Sequence, residues 1–539
     1  MNFFMNANMQ KQKSGIEHAQ LKRAKLFRDH QTPFKIVVRD WDPMLHTNTT
    51  ATGLLDSEVL SMFDYYQETE TFTQKVLVAQ ELKFGVPVIK LDHEPDANRY
   101  VAYGPKEDQI LARINYFPDD ENKQVLSTEL FDGFGNLYAV EQYDRRGFVS
   151  LTQWYTPDNR IGTETWSTPD GRVVLETFNK SSAAGTFQKS GWRLNAKDGA
   201  VYLFDTIEEL TAHFINEINA DYWRADEPNL FVLDRTHLAD WSVLKLDRPA
   251  YTVMHLHNSH AADSQETMHS VMNNNYEFPL TNINQYDAVI SATQKQNDDV
   301  QSRFQPQTKL FTIPVGVVPD AHFDEPRIPM KDRTFGKVVA LARIAPEKRL
   351  ADLTKAVGIA KKKVPEITLD LYGYKDGTDN FVAMRNVTEA IEEYDLADAV
   401  TVHDYTTDVA AVEKDAQIFG LTSIMEGFNL SIMEAISQGD VGVTYDVNYG
   451  PNEIIVDGEN GYVVPYNDYE AVADKLVELF SDPDKMQEMS DQSYELAKRY
   501  SETNVWHAWQ ELLADAQDSW ADKVKHYKAP ITAGLSEEG

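Results

Sequence analysis

Residues 336–349 read GKVVALARIAPEKR, an apolar run that stops at a Pro-containing loop carrying Arg343 and Lys348. A short run rich in β-branched residues and bounded by turn chemistry reads as a buried strand of a parallel sheet. A helical stretch over 350–362 follows. The alternation then repeats as ITLDLYGY, a helix over 380–394, AVTVHDY, a helix over about 408–415, AQIFGLTS and a helix from 429. Strands alternating with helices of this length predict βαβ units and an open, doubly wound sheet. Such sheets bind ligands outside the carboxyl ends of their strands. Arg343 and Lys348 are thereby expected at a binding edge, where Arg forks two phosphate oxygens and Lys acts as a point charge. Taken alone, a surface loop that opens a helix has the same appearance.

The second informative stretch is SIMEGFNLSIME at 423–434, with Glu426 in a tight turn and Glu434 inside an apolar helix. Asn429 can cap that helix, and the backbone N–H groups of Gly427, Phe428, Asn429 and Leu430 form a nest for an anion or a hydroxyl. Eight helical positions correspond to about 80° of net rotation. The two glutamates are therefore expected to face two parts of one extended ligand rather than each other. Glu434 stands among Ile432, Met433, Ala435 and Ile436, where a carboxylate needs a partner.

Upstream, residues 1–10 are strand-like, SGIEHAQLKRAKLF is a Ser-capped helix with Ile16, Ala19, Ala24 and Phe27 at helical spacing, and FKIVVRDWD contains a buried strand. Helix resumes at DTIEELTAHFINEI, followed by the short strands of NLFVLDRT, AYTVMHLHNSH, DAVISATQ and KLFTIPVGV. Between these halves stand four 12-residue repeats beginning at Phe131, Tyr143, Tyr155 and Ser167. Each opens on turn residues and continues as an alternating strand, which predicts an antiparallel meander. Its surroundings from about Thr73 to Asp205 are expected to add further strands. Tyr143, Trp154, Tyr155 and Trp166 read as exposed aromatics, for cross-strand packing or an oligomer surface in preference to sugar stacking.

His255 ends a buried strand, with His257 and His260 beyond it. Three histidines invite a metal reading. No acidic or Cys ligand stands among them in the sequence, and a single functional His255 is the preferred reading. The triplets DWD at 40–42 and DPD at 482–484 match a metal motif of some sugar transferases, but three-residue matches arise by chance in so acidic a chain. DPD also reads as a helix start. No G-x-x-x-x-G-K-[ST] or G-x-G-x-x-G motif is present, so ATPase and dehydrogenase readings lose support.

A net charge of −34, from 51 basic and 85 acidic residues, argues against a nucleic-acid binder. The local exception is 11–28, where Lys11, Lys13, Lys22, Arg23, Lys25 and Arg28 face one carboxylate, Glu17. A solvated helix face is the ordinary reading of such a run. No basic leader precedes an apolar run, and no stretch of about 18 uninterrupted apolar residues occurs. A soluble cytoplasmic protein is expected.

Across ARIAPEKR, LYGY, VHDYTTD, EGFNLSIMEA and YGPNEIIVDGENGYVVP the chain resembles the retaining glycosyltransferases of family 4, which have the GT-B fold. KSGIEHAQLKRAKLF and the interposed meander are similar to the bacterial branch that holds poly(glycerol-phosphate) α-glucosyltransferases, wall teichoic acid α-N-acetylglucosaminyltransferases and the glycosyltransferases of serine-rich adhesins. The resemblance implies an α/β protein with two Rossmann-like domains facing a cleft. The acceptor-side domain would comprise 1–74 and 206–318, the meander 75–205 for oligomerisation or acceptor binding, the UDP-sugar domain 319–505, and a C-terminal helix and tail 506–539. It implies a UDP-sugar-dependent retaining α-glycosyltransferase that needs no metal or other cofactor, with UDP-glucose or UDP-GlcNAc as donor. The acceptor would be teichoic acid or a Ser/Thr-rich surface protein. A homo-oligomer or a complex with a homologous subunit is implied, either cytoplasmic or peripheral to the inner face of the membrane. By position, Arg343 and Lys348 would hold the diphosphate and Glu434 the ribose. Glu426, Gly427, Phe428, Asn429 and Leu430 would hold the donor sugar, with His255 near the reacting carbon and Ser14 and Gly15 by the phosphates or the acceptor. The alternative reading is a non-catalytic homologous subunit that binds acceptor or stabilises an active partner.

Overall fold

The computed structural model describes residues 1–70, 72–106, 109–118, 120–182 and 185–527. The C-terminal tail expected up to residue 539 lies, from 528 on, outside the described residues. The chain divides into two compact units, one of Met1–Lys13 and Pro33–Ala250 with residues 526 and 527, the other of Ser14–Thr32 and Tyr251–Lys525.

The first unit is built on four parallel strands, β1 (Asn2–Asn6), β2 (Phe34–Val38), β3 (Val59–Ser61) and β14 (Leu230–Leu233), in the order β14-β1-β2-β3. Phe3, Phe4 and Met5 of β1 are fully buried, as continuous apolar strands of a parallel sheet covered on both faces must be. The helix Ile207–Tyr222 starts at Thr206, whose side chain accepts from Glu209 N, and it buries Leu210, Phe214, Ile215 and Ile218.

Between β3 and that helix lies a ten-stranded antiparallel sheet. Its strands, β4 to β13, are Lys90–Glu94, Arg99–Tyr103, Ile110–Tyr116, Val125–Phe131, Leu137–Asp144, Phe148–Tyr155, Ile161–Ser167, Val173–Ser181, Phe187–Asn195 and Val201–Phe204, paired in chain order. The 12-residue repeats are one strand and one turn each. The fifth position of every repeat, at Gly135, Gly147, Asn159 and Gly171, has a positive φ, which a tight turn between twisted strands requires and which Gly and Asn supply at least cost. The sheet is fastened to the rest of its unit by side chains. Arg146 reaches Asp64 at 2.6 Å and Asp144 at 2.8 Å, Gln67 donates to the carbonyls of Ser150 and Ser167, and Phe63 packs on Trp166 at 5.0 Å. This packing corrects the reading of the aromatics as exposed. Tyr143 and Trp166 are buried, whereas Trp154 is 45% exposed.

The second unit holds the parallel strands β15 (Tyr251–Leu256), β16 (Ala288–Ser291) and β17 (Lys309–Thr312). It also holds a six-stranded parallel sheet of β18 (Lys337–Leu341), β19 (Thr368–Tyr372), β20 (Val400–His403), β21 (Ile418–Leu421), β22 (Val441–Tyr445) and β23 (Gly461–Val464), in the order β20-β19-β18-β21-β22-β23. Counted along the chain this is 3-2-1-4-5-6, the doubly wound order. DPD is the helix start expected, since Asp482 caps Pro483–Ala497 by accepting from Lys485 N. The helix Gly15–Asp29 belongs to this unit, with Phe27 edge-on to Trp506 and Trp509 at 5.4 and 5.3 Å. The basic run 11–28 is only in part the solvated face its charges suggest, since Lys11 and Lys25 are exposed. Arg23 is buried, Lys22 pairs with Glu434, and Lys25 pairs with Asp29 and Glu502. No helix among the described residues is long and apolar enough to cross a membrane.

Candidate functional site

In the 3-2-1-4-5-6 order, β18 and β21 are neighbours in space whose following helices leave on opposite sides of the sheet. The loops after their carboxyl ends therefore part and leave a crevice. Residues 342–349 follow β18 and residues 422–429 follow β21, so both stretches singled out from sequence meet at this point. A backbone bond from Ile424 N to Glu347 O, 2.9 Å, ties the two loops together.

Lys348 closes the short 3-10 turn Pro346–Lys348 and points its ammonium at Glu426 Oε1, 2.6 Å away. The Asn429 side-chain amide donates to the same oxygen at 3.0 Å. Its own Oδ1 accepts from Ile432 N at 3.0 Å and so caps the helix Leu430–Ser437. Asn429 has φ 73°, a conformation its short polar side chain tolerates. Glu426 is also held through its backbone, its N–H donating to Asn448 O at 3.3 Å and its carbonyl accepting from Tyr449 N at 2.9 Å. The result is a fixed carboxylate beside an ammonium at the start of a helix, where free amides and the dipole favour an anion. Phe428 is buried and meets Tyr500 edge-on at 5.4 Å, so only its backbone faces the site.

Gly427 brings a third element into contact. A Cβ on it would lie 2.0 Å from the carbonyl oxygen of His257, which places the turn directly on the chain leaving β15. His255 lies within β15 and is buried, with Arg23 Nη1 3.5 Å from its Nδ1 and the His257 ring 4.0 Å away. His260 goes elsewhere. Its Nε2 lies 3.2 Å from Thr267 O, and burial pushes its pKa down to about 4.

The remaining expected residues are distributed around this core. Glu434 is on the capped helix, and the partner its apolar surroundings demanded is Lys22, at 2.9 Å. Lys22 also donates to Val317 O at 3.3 Å. Arg343 is 40% exposed and lies 2.9 Å from Asp376, with Glu347 as a second acidic neighbour. Arg343 and Lys348 are therefore each neutralised by acids, and an incoming diphosphate has to exchange with those acids. Ser14 caps its helix, and its N–H donates to Glu17 at 2.7 Å. A Cβ on Gly15 would meet nothing within 4 Å. Sequence reasoning did not single out Lys22 as the partner of Glu434, nor Asp376, nor the 448–449 backbone. The basic run on the first helix was the one signal that pointed towards Lys22.

Residues 322–496 match the family model described as glycosyl transferases group 1. Over 94% of this chain and 97% of the relative, the chain is 26% identical to the UDP-N-acetylglucosamine–peptide N-acetylglucosaminyltransferase GtfA subunit of Streptococcus gordonii. It is 24% identical to the poly(glycerol-phosphate) alpha-glucosyltransferase of Bacillus subtilis, over 94% of this chain and 74% of that one. Among solved structures, it is similar to the pneumococcal O-GlcNAc transferase GtfA in complex with UDP and GlcNAc, with a TM-score of 0.78 and 22% identity over 96% of this chain and 98% of the other. This likeness establishes the fold as GT-B with an inserted antiparallel sheet.

Proposed function

We propose that this protein is a retaining, family-4-type glycosyltransferase that moves glucose or N-acetylglucosamine from a UDP-sugar to a hydroxyl of a cell-surface acceptor. The observation that carries the reading is the Lys348–Glu426–Asn429 cluster, seated where the doubly wound sheet changes direction and next to a capped helix N-terminus. The overall similarity to UDP-sugar transferases supports it.

In this reading Arg343 and Lys348 leave their acidic partners to bind the diphosphate. Glu434 takes the ribose hydroxyls while Lys22 holds it in place. Glu426 and the backbone from Gly427 to Leu430 hold the sugar, His255 stands near the reacting carbon, and Ser14 and Gly15 lie by the phosphates or the acceptor. As the glycosidic bond breaks, charge grows on UDP. Fixed cations and helix amides then stabilise that charge more than the ground state, each donor typically being worth 10²–10³-fold in rate. The acceptor hydroxyl attacks from the side the UDP leaves, assisted by a phosphate oxygen, which retains the configuration. No step calls for a metal. A cytoplasmic location, an oligomer or partner subunit, and the ribose role of Glu434 belong to the same proposal.

The test is UDP release and sugar transfer followed by mass spectrometry with UDP-glucose and UDP-GlcNAc. Turnover with at least one donor is expected, and Lys348→Ala should lower it by about 10²-fold or more while the melting temperature changes little. Turnover with neither donor overturns the enzyme reading in favour of a non-catalytic subunit. Undiminished turnover by Lys348→Ala removes the diphosphate site from this loop.

A further inference from the structure

One buried acid of the second unit takes no part in the donor chemistry yet lies beside it. Glu413, on the helix Val409–Asp415, is 1% exposed, and its Oε1 is buried with no hydrogen-bond partner among the described residues. Val409 and Val412 of the same helix pack against the apolar cluster that holds Ile432, Met433, Ala435 and Ile436. The helix thus lies against the one that carries Glu434. Four charges act on Glu413 from the elements around it. Glu434 and Asp440 oppose its ionisation, whereas Lys22 on the helix Gly15–Asp29 and Arg333 ahead of β18 favour it. The other ionisable groups nearby are directed elsewhere. His322 Nε2 lies 2.8 Å from Ser437 O, Lys414 lies 3.2 Å from Glu325, and the Tyr494 hydroxyl lies 3.2 Å from Arg333 Nη2.

These charges do not balance, because three carboxylates share two cations and both cations are taken. Arg333 lies 2.6 Å from Asp440 with both side chains fully buried, and it also donates to the carbonyls of Glu413, Ala416 and Gln438. Lys22 lies 2.9 Å from Glu434. An unpaired carboxylate held away from water is strongly disfavoured, and like charges nearby disfavour it further. Burial, Glu434 and Asp440 accordingly push the Glu413 pKa well above its ordinary value. Burial raises Asp440 as well, to about 8, but Asp440 keeps Arg333 beside it. The proton that the cluster retains therefore belongs on Glu413. While Glu413 is neutral, Lys22 has one carboxylate to hold. An ionised Glu413 draws on the same ammonium and repels Glu434, in surroundings where such forces are stronger than in water.

We propose that Glu413 is a positioning residue that stays a neutral acid, leaving Lys22 to Glu434 alone, and that its ionisation in alkaline solution loosens Glu434 and weakens nucleotide binding. This deepens the transferase reading and rests on it for the nucleotide, but the proton itself is tested without any ligand. A carboxyl that is neutral in the folded chain and ionised in the unfolded one lowers stability as the pH rises above about 4.3, because the unfolded state then binds fewer protons. In urea titrations of the full-length chain, the unfolding constant of wild type should rise relative to that of Glu413→Gln by up to about tenfold per pH unit between about pH 5.5 and 7.5. In calorimetric titrations with UDP, the two proteins should bind equally at about pH 7. By about pH 8.5 wild type should lose at least about threefold in affinity while Glu413→Gln keeps its value. Glu413→Met, uncharged and of similar length, repeats both measurements should the amide impair folding. The inference fails if the unfolding constants keep a fixed ratio across that pH range, or if UDP affinity falls alike in wild type and a neutral variant. Absence of UDP binding at every pH would defeat the transferase reading and the nucleotide half of this inference, while the unfolding constants still decide whether Glu413 keeps its proton.

Discussion

Gly427 is the position at which the site tolerates least. A Cβ there would stand 2.0 Å from the carbonyl oxygen of His257 and 2.5 Å from its carbon. Both atoms are backbone, so no side chain can swing away and the 426–429 turn has to lift off the end of β15. Forcing atoms into such a contact costs about 1–3 kcal/mol, and a shift of about 1 Å in a positioning group can cost 10²-fold in rate. Gly427→Ala should therefore lower the urea midpoint by that amount of stability and reduce UDP release at least tenfold, and a variant like wild type in both would show that the turn is not held there. Gly15 is the contrasting case, because an added Cβ meets nothing. Gly15→Ala, at a helix start, should leave stability equal or raise it by about 0.5 kcal/mol. The sequence marked both glycines alike, since a motif records that a residue is small and not what stands opposite. His257 is some 170 positions from Gly427, and nothing local in either stretch announces the contact.

The junction of the ten-stranded sheet with β1–β3 makes a pH prediction at the scale of elements. His46 lies between Asp56 at 3.0 Å and Asp64 at 2.7 Å, and Asp64 also binds Arg146 at 2.6 Å. Burial opposes the charge on Asp64, but the hydrogen bonds and charges of His46 and Arg146 outweigh it and hold the pKa at about 2. Burial likewise opposes the charge on His46, and Asp64 outweighs it, so that the pKa is raised above 6.5. For Asp64, lowered on folding, the contribution is complete above its unfolded value near 4 and is lost as the pH falls towards about 2. For His46, raised on folding, the contribution is complete below about 6.5 and is lost as the pH rises through the folded value. The junction should be strongest between about pH 4 and 6.5. Melting curves of wild type should show a loss of stability on the alkaline side of that window which His46→Asn lacks, and equal slopes in the two proteins would contradict the network. Arg146→Met should cost about 3–5 kcal/mol, because it leaves the buried Asp144 carboxylate without its cation and Asp64 with His46 alone. The meander itself was legible from its 12-residue spacing, because turn residues recur at fixed positions and the fifth must adopt positive φ. The burial of Tyr143 and Trp166 was not. Alternation places residues on two faces, but which face is covered depends on other parts of the chain, Phe63 over Trp166 and Ala79 with Leu77 and Leu82 around Tyr143.

For the whole molecule, the alternating strands from 336 onward were enough to anticipate the doubly wound sheet and the crevice at its change of direction, because strand order follows from short right-handed crossovers. The grouping of Gly15–Asp29 with the chain beyond Tyr251 was hidden, since it rests on Phe27 meeting Trp506 and Trp509 and on no local signal. Net charge acts at this same scale. With 85 acidic against 51 basic residues, the folded chain repels itself, and salt shortens the reach of that repulsion from about 30 Å at 0.01 M to about 10 Å at 0.1 M. Salt also weakens exposed pairs such as Lys25–Asp29, but these contribute about 0–1 kcal/mol each. The Arg333–Asp440 pair, at 2.6 Å with both side chains fully buried, is shielded from it. Relief of the long-range repulsion should therefore outweigh the loss of surface pairs. The melting temperature at pH 7.5 should rise by a few degrees between 10 and 300 mM sodium chloride and level off above that, as the Debye length falls below the spacing of neighbouring charges. A melting temperature that falls steadily with salt would mean that the surface pairs act as a network worth more than the sum of their isolated values.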